Sequence, residues 1–187
     1  MNHKTLLLET NRLIMRSFQD KDIQAFADYR SEIEVAKYQS WNTPYSLEKA
    51  IRFINEMKAV QPGTPGKWYQ VAIELKKNGS LVGDCAFQIF AEEPRQAEIG
   101  VTLSGKYQGK GYATEAVTRL LNYLFTGFKL HRIRAICDVE NIASSKLLES
   151  IGMRWEGHLV ENIWFKGKWG SEYMYGLLKQ EWNAHQK

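Results

Sequence analysis

Apolar positions alternate at the start of the chain, Leu6 and Leu8, then Leu13 and Met15, on either side of Thr10-Asn11-Arg12. A period of two with a polar interruption predicts a strand broken by a turn. The period then lengthens. Asp20-Lys21-Asp22 precedes Ile23, Phe26, Ala27 and Tyr29, which predicts a helix with an acidic first turn. Ser46 is placed to cap a second helix carrying Leu47, Ala50, Ile51, Ile54 and Met57 on its apolar face. Pro62-Gly63-Thr64-Pro65-Gly66 ends it. From Val71 the period returns to two: Val71, Ile73, Leu75, then Leu81 to Ile89, then Ile99, Val101 and Leu103, with polar turns at 76–80 and 91–96. Three strands joined this closely predict an antiparallel meander.

The clearest helical pattern follows. Ala113, Ala116, Val117, Leu120, Leu121, Leu124 and Phe125 repeat at i, i+3, i+4 over three turns. Ile133, Ala135 and Cys137 predict another strand. Leu147, Leu148 and Ile151 predict a short helix closed by Gly152. Trp164 to Leu178 predicts a final strand pair around Lys166-Gly167-Lys168. No repeat or linker interrupts the chain, so residues 1–187 are expected to form one mixed α/β domain.

Composition narrows the class without naming a function. The 187 residues are 44% hydrophobic and 25% charged, close to globular averages, which excludes general disorder. No apolar run is long enough to cross a bilayer, and Met1 to Leu13 is too short and polar for a signal peptide. Two cysteines, Cys85 and Cys137, lie in strand-like runs without a CxxC pair, so a reduced, cytoplasmic chain is expected. The net charge of +4 fits ordinary solubility, a phosphorylated ligand or a nucleic acid. The positive residues are scattered, and the six tryptophans read as core and pocket walls, which argues against a nucleic-acid binder. His3, His131, His158 and His185 lack metal spacing, so no metal site is expected.

Between the meander and the strong helix lies Gln108-Gly109-Lys110-Gly111-Tyr112-Ala113-Thr114. A glycine-rich turn entering a helix offers unpaired N–H groups at the positive end of the helix dipole, a place for phosphate. A plain strand-to-helix turn reads the same way. A Walker A loop is excluded, because only three residues separate Gly105 from Gly109 and Gly111 follows Lys110. A dinucleotide fingerprint is excluded by Thr114 and by the preceding meander.

The segment Gln108-x-x-Gly111-x-Ala113 resembles the acyl-CoA signature of the GNAT acetyltransferase superfamily. Thr10-Asn-Arg-Leu-Ile-Met-Arg16 resembles that family's opening strand, and Ala97-Glu-Ile-Gly100 its fourth. Tyr107 to Ala116, and Asn141-x-x-Ser144-x-x-Leu147-Leu148-Glu149-x-x-Gly152-Met153, resemble the ribosomal-protein-alanine acetyltransferase branch. So do Glu156-Gly157 and Glu181-Trp182.

The resemblance implies a mixed sheet whose fourth and fifth strands splay apart to admit acetyl-CoA as co-substrate. Ile99 and Val101 would pair with the pantetheine arm, and Gln108, Gly109, Lys110, Gly111, Tyr112, Ala113 and Thr114 would hold the pyrophosphate. Asn141 would bond the pantetheine, or simply cap the next helix. Ser144 would lie near the sulfur, as a relay or without chemistry. Leu147 and Leu148 occupy the region where many relatives carry a tyrosine acid, and Tyr173 and Tyr175 read as core. Glu98 is the candidate base, through water, or a solvated strand carboxylate. The implied activity is acetyl transfer to a primary amine, a protein N-terminus or a small molecule such as an aminoglycoside. The alternative is a non-catalytic acyl-CoA-binding or regulatory domain. No membrane partner is expected, and the chain would act as a monomer or homodimer.

Overall fold

The structure, a computed structural model, describes residues 6–185. Eight strands form one sheet in the order β1-β2-β3-β4-β5-β6-β8-β7. They are β1 (Leu7–Glu9), β2 (Leu13–Arg16), β3 (Trp68–Leu75), β4 (Leu81–Ile89), β5 (Gln96–Leu103), β6 (Arg132–Asp138), β7 (Arg154–Phe165) and β8 (Lys168–Leu178). Every pairing is antiparallel except β5 with β6. The meander read from the period-two segments is β3–β4–β5.

Helices cover both faces. On one lies α4 (Tyr112–Gly127), whose Ala116, Val117, Leu120, Leu121, Leu124 and Phe125 are buried against Val71, Cys85, Phe87 and Ile99. α5 (Ile142–Ser150) adds Leu148 to that core, and α6 (Lys179–His185) adds Trp182, which stacks on Phe125. On the other face lie α1 (Ile23–Ser31), the single turn α2 (Ile33–Ala36) and α3 (Leu47–Ala59). Phe18, Phe26, Tyr29, Ala50 and Ile54 close over Ala72 and Leu81 there. Ser46 caps α3 by accepting from the Lys49 N–H, as its position foretold. Its apolar stripe is narrower than expected, since Leu47 and Ile51 are exposed and only Ala50 and Ile54 are buried.

Buried charge pins the layers together. Arg16 donates to Asp22 and Glu74, and Lys21 reaches the same Glu74 carboxylate. Burial alone would raise the Glu74 carboxyl, but its bonds from Lys21 and Arg16 prevail and hold it below the ordinary range. The two cysteines are buried, and burial pushes both thiols up, so neither is a ready nucleophile.

The last strand pair is longer than the sequence pattern indicated. β7 begins at Arg154, and its register shifts between Trp155 and Gly157 and again between Leu159 and Ile163. The first shift inserts one extra residue in β7 and reverses its inward and outward positions, and the second inserts two, which together break the period-two signal over 154–163.

Candidate functional site

The site begins where two strands part. β5 and β6 pair from Gln96 with Arg132 to Ile99 with Ala135, and there the ladder ends. β5 continues to Leu103 and β6 to Asp138. Past Ile99 the β6-facing edge of β5 therefore has no strand beside it, and its peptide groups are available to an extended ligand arm.

Two cavities open into this gap. One, of ≈ 500 Å³, runs from Trp68 and Arg30 past Gly100 to Cys137 and Asn141. The other, of ≈ 590 Å³, runs from Val101 along Gln108, Gly109 and Gly111 to Thr114 and Lys146. Tyr38, Gln39, Val101, Thr102, Asn141, Ser144 and Leu147 line both. The first lies against the α1–α3 face, and the second against the starts of α4 and α5. Segment 33–41 crosses above their junction. The Tyr38 hydroxyl donates to the Glu140 carbonyl at 3.1 Å, and the Lys166 ammonium to that of Ala36 at 2.6 Å.

The glycine-rich loop has the geometry of an anion cradle. Gly109 and Gly111 have φ of 71° and 77°, values that side chains rarely adopt. Gly111 is the N-cap of α4 and supplies no side-chain acceptor. The first amide bonded within the helix belongs to Glu115, which donates to the Gly111 carbonyl. The N–H groups of Tyr112, Ala113 and Thr114 are thus left for a ligand. The loop is clamped from outside. Arg12 donates to the Lys110 carbonyl at 3.0 Å, pairs with Glu115 at 2.6 Å and lies over the Tyr112 ring at 4.5 Å. Thr10 and the Arg12 N–H also bind Glu115. Burial works against this carboxylate, but those bonds outweigh it and hold its pKa down.

The other expected residues take defined places. Gln108 turns back to donate to the Leu103 carbonyl at 3.0 Å, closing the end of β5. The Lys110 ammonium folds onto the Lys106 carbonyl, and its side chain is not part of the cavity wall. Asn141 is the N-cap of α5, its Oδ1 accepting from the Ser144 N–H at 3.2 Å. Capping leaves its amide NH₂ without a protein partner among the described residues, so cap and ligand contact are compatible. Ser144 and Val101 are both in the walls of the two cavities. Tyr175 is buried and donates to Glu149. Among the described residues no group of His, Cys, Asp and Glu could hold a metal; His3 lies outside them. No helix among them is long and apolar enough to cross a membrane.

Glu98 is less open than expected. Both its β4 and β6 neighbours, Gln88 and Arg134, share its face of the sheet. The Nε and a terminal nitrogen of Arg134 each lie 2.8 Å from Glu98 Oε2, and the carboxylate is not in the wall of either cavity. The carboxylates that do line the first cavity are Asp84 and Asp138. Neither was singled out from the sequence, nor were Arg12 and Glu115. Asp84 looks like any polar residue of an alternating strand, and only the register places it beside the gap.

Parting strands, an open strand edge and a bare helix N-terminus define the class of acyl-CoA-dependent transferases with a GNAT fold. The chain belongs to the GNAT acetyltransferase family, whose acetyltransferase (GNAT) domain matches residues 12–154. It is 37% identical over 176 residues to the N-acetyltransferase YnaD of Bacillus subtilis (strain 168), covering 94% of this chain and 99% of that protein. A ribosomal protein uS5-alanine N-acetyltransferase of Escherichia coli (strain K12) is 25% identical over 183 residues, 94% of this chain and 92% of its own. Among solved structures, a GNAT-family acetyltransferase from Bacillus anthracis superposes with a TM-score of 0.82 at 34% identity, over 94% of this chain and 99% of that one. The protein is a GNAT-type N-acetyltransferase, of a family that uses acetyl-CoA as co-substrate.

Proposed function

We propose that the protein transfers the acetyl group of acetyl-CoA to a primary amine that enters through the cavity on the α1–α3 face. The observation that carries this reading is the parting of β5 from β6 beside the uncapped start of α4. The edge of β5 past Ile99 suits the pantetheine arm, and the amides of Tyr112, Ala113 and Thr114 suit the pyrophosphate. Gly109 and Gly111 let the loop backbone come close. The Asn141 amide would hold the arm from the α5 side, with Ser144 near the sulfur.

Bound there, acetyl-CoA supplies an activated carbonyl, so the protein needs no nucleophile of its own. The lone pair of a neutral amine forms the new C–N bond, the C–S bond breaks, sulfur leaves with its electron pair, and the proton shed by the new amide nitrogen balances that thiolate to give CoA thiol. A free N–H of β5 near Ile99 or Val101 would stabilise the charge that develops on the carbonyl oxygen. An amine is mostly protonated at neutral pH, so a proton must leave before attack. In this reading Glu98 takes it through water, since its carboxylate lies two residues along β5 from Gly100 and outside the cavity wall. A thiol ionises near pH 8–9, which makes a dedicated acid dispensable.

Acceptors of either expected kind, a protein N-terminus or a small amine, fit a primary-amine mechanism, and the uS5-alanine acetyltransferase relative favours the first. Isothermal titration with CoA tests the cofactor half. Incubation with acetyl-CoA and amines, read by free thiol, tests the transfer half. Binding without thiol release would support the non-catalytic alternative.

A further inference from the structure

The α1–α3 face of the sheet is hollow at its centre. Residues paired across strands share a face, so Gln70, Ala86 and Gly100 form one row, flanked by Trp68, Gln88 and Glu98 on one side and by Ala72, Asp84 and Thr102 on the other. Ala86 and Gly100 give the middle row almost no side chain. Gly100 is exposed although it lies in the middle of an eight-stranded sheet, and a Cβ built there meets nothing within 4 Å. The hollow belongs to the first cavity, and it ends beside the unpaired edge of β5.

One carboxylate in its wall is held in place yet not fully used. Asp84 is 2% exposed, and its Oδ2 accepts a hydrogen bond from the Tyr29 hydroxyl. Arg30 stands 3.7 Å from the same oxygen. Oδ1 has no hydrogen-bond partner among the described residues. Arg30 is itself enclosed by the rings of Trp41 at 3.9 Å, Phe26 at 4.1 Å and Phe53 at 4.7 Å, and it donates to Gln70 at 2.9 Å. Its Nε is a buried nitrogen without a partner. A guanidinium so fixed balances Asp84 without covering Oδ1. Arg30, Asp84 and Asp138 are the charged residues of this cavity wall, and together they leave one negative charge, which suits a cation.

We propose that Asp84 is the acceptor-binding carboxylate: it draws in a primary amine as its ammonium and keeps the neutral amine by an N–H once the proton has left, with the stem laid over Ala86 and Gly100. Tyr29 and Arg30 are positioning residues that aim Asp84 Oδ1 into the hollow. The small floor residues leave room for the carbon stem of the amine beneath the aromatic walls. This rests on the acetyltransferase reading and adds the residue that selects the acceptor. Glu98 and Asp84 then have separate parts, one for the proton and one for holding the amine.

The test is steady-state transfer at saturating acetyl-CoA, with n-butylamine and an alanine-first tetrapeptide as probes. Asp84→Asn keeps the shape and an acceptor for Tyr29 but removes the charge. Acceptor KM should rise by roughly 10–150-fold, the loss of one charge-assisted hydrogen bond, with CoA affinity unchanged. Gly100→Val projects a branched side chain into the hollow, where a Cβ meets nothing within 4 Å, and should abolish transfer to both probes while CoA still binds. Glu98→Gln should lower kcat and leave acceptor KM in place. A folded Asp84→Asn protein with wild-type KM overturns the assignment. If that variant fails to fold, Gly100→Val decides alone, and undiminished transfer by it overturns the hollow as the acceptor site. Wild-type protein that acetylates no amine overturns the acetyltransferase reading first, and this inference with it.

Discussion

Replacing Gly111 tests the anion cradle at its most constrained point. The residue holds φ 77° and ψ 4° as the N-cap of α4, where an L side chain costs about 1–2 kcal/mol. A Cβ would also lie 3.3 Å from an Arg12 nitrogen, a contact that this half-exposed side chain can relieve by a small shift. Gly111→Ala should therefore fold, with a melting temperature lower by roughly 2–8 °C for a chain of this size. Binding should suffer more. Relieving the strain rotates the first turn, and the Tyr112, Ala113 and Thr114 amides lose their common aim. Losing one hydrogen bond to a charged phosphate is worth about 1.5–3 kcal/mol, or roughly 10–150-fold in affinity. Gly111→Val, β-branched at a left-handed position, should weaken CoA further. Calorimetric titration of folded protein, checked by circular dichroism, gives both numbers. A folded Gly111→Val protein with wild-type CoA affinity would refute the cradle.

Glu98→Gln should lower turnover about 10²–10⁴-fold, the range of general-base catalysis, and shift the pH–rate profile upward; a near-normal rate and profile would leave Glu98 as the structural partner of Arg134. Asn141→Ala removes the α5 cap and should cost about 0.5–2 kcal/mol in thermal unfolding as well as CoA affinity; a loss of stability alone would limit Asn141 to capping. Glu74, Glu115 and Glu156 all hold carboxyl groups below the ordinary value of 4.5, so the unfolded chain takes up these protons first as pH falls. Their stabilisation is complete above about pH 5 and fades below it as the folded pKa values are crossed, so the melting temperature should fall from pH 6 to pH 4; a flat curve there would contradict the sign.

What the sequence made legible follows from how local each signal is. α4 was readable because its whole apolar face recurs at helical spacing, and β3 to β5 because they alternate without interruption. α2 is a single turn, too short for any period. The start of β7 was hidden by its bulges, and α6 carries little beyond Glu181 and Trp182 to mark it. Within the site, the loop at 108–114 could be read because turn, glycines and helix start are contiguous. The Arg12 clamp joins residues about a hundred positions apart, and no short-range pattern reports it. Glu98 was placed on the right strand, but its pairing with Arg134 depends on the parallel register of β5 and β6. Asp84 depends on that of β4 and β5 together with the small side chains at Ala86 and Gly100.

The most direct measurement of the central claim is mass spectrometry of amine mixtures incubated with isotopically labelled acetyl-CoA and the purified protein, with free thiol followed in parallel. The expected result is a labelled acetamide on at least one primary amine, formed one-to-one with CoA thiol and lost in Gly100→Val. Tight CoA binding with no labelled amide and no thiol above background, across protein N-termini and small amines alike, would contradict it.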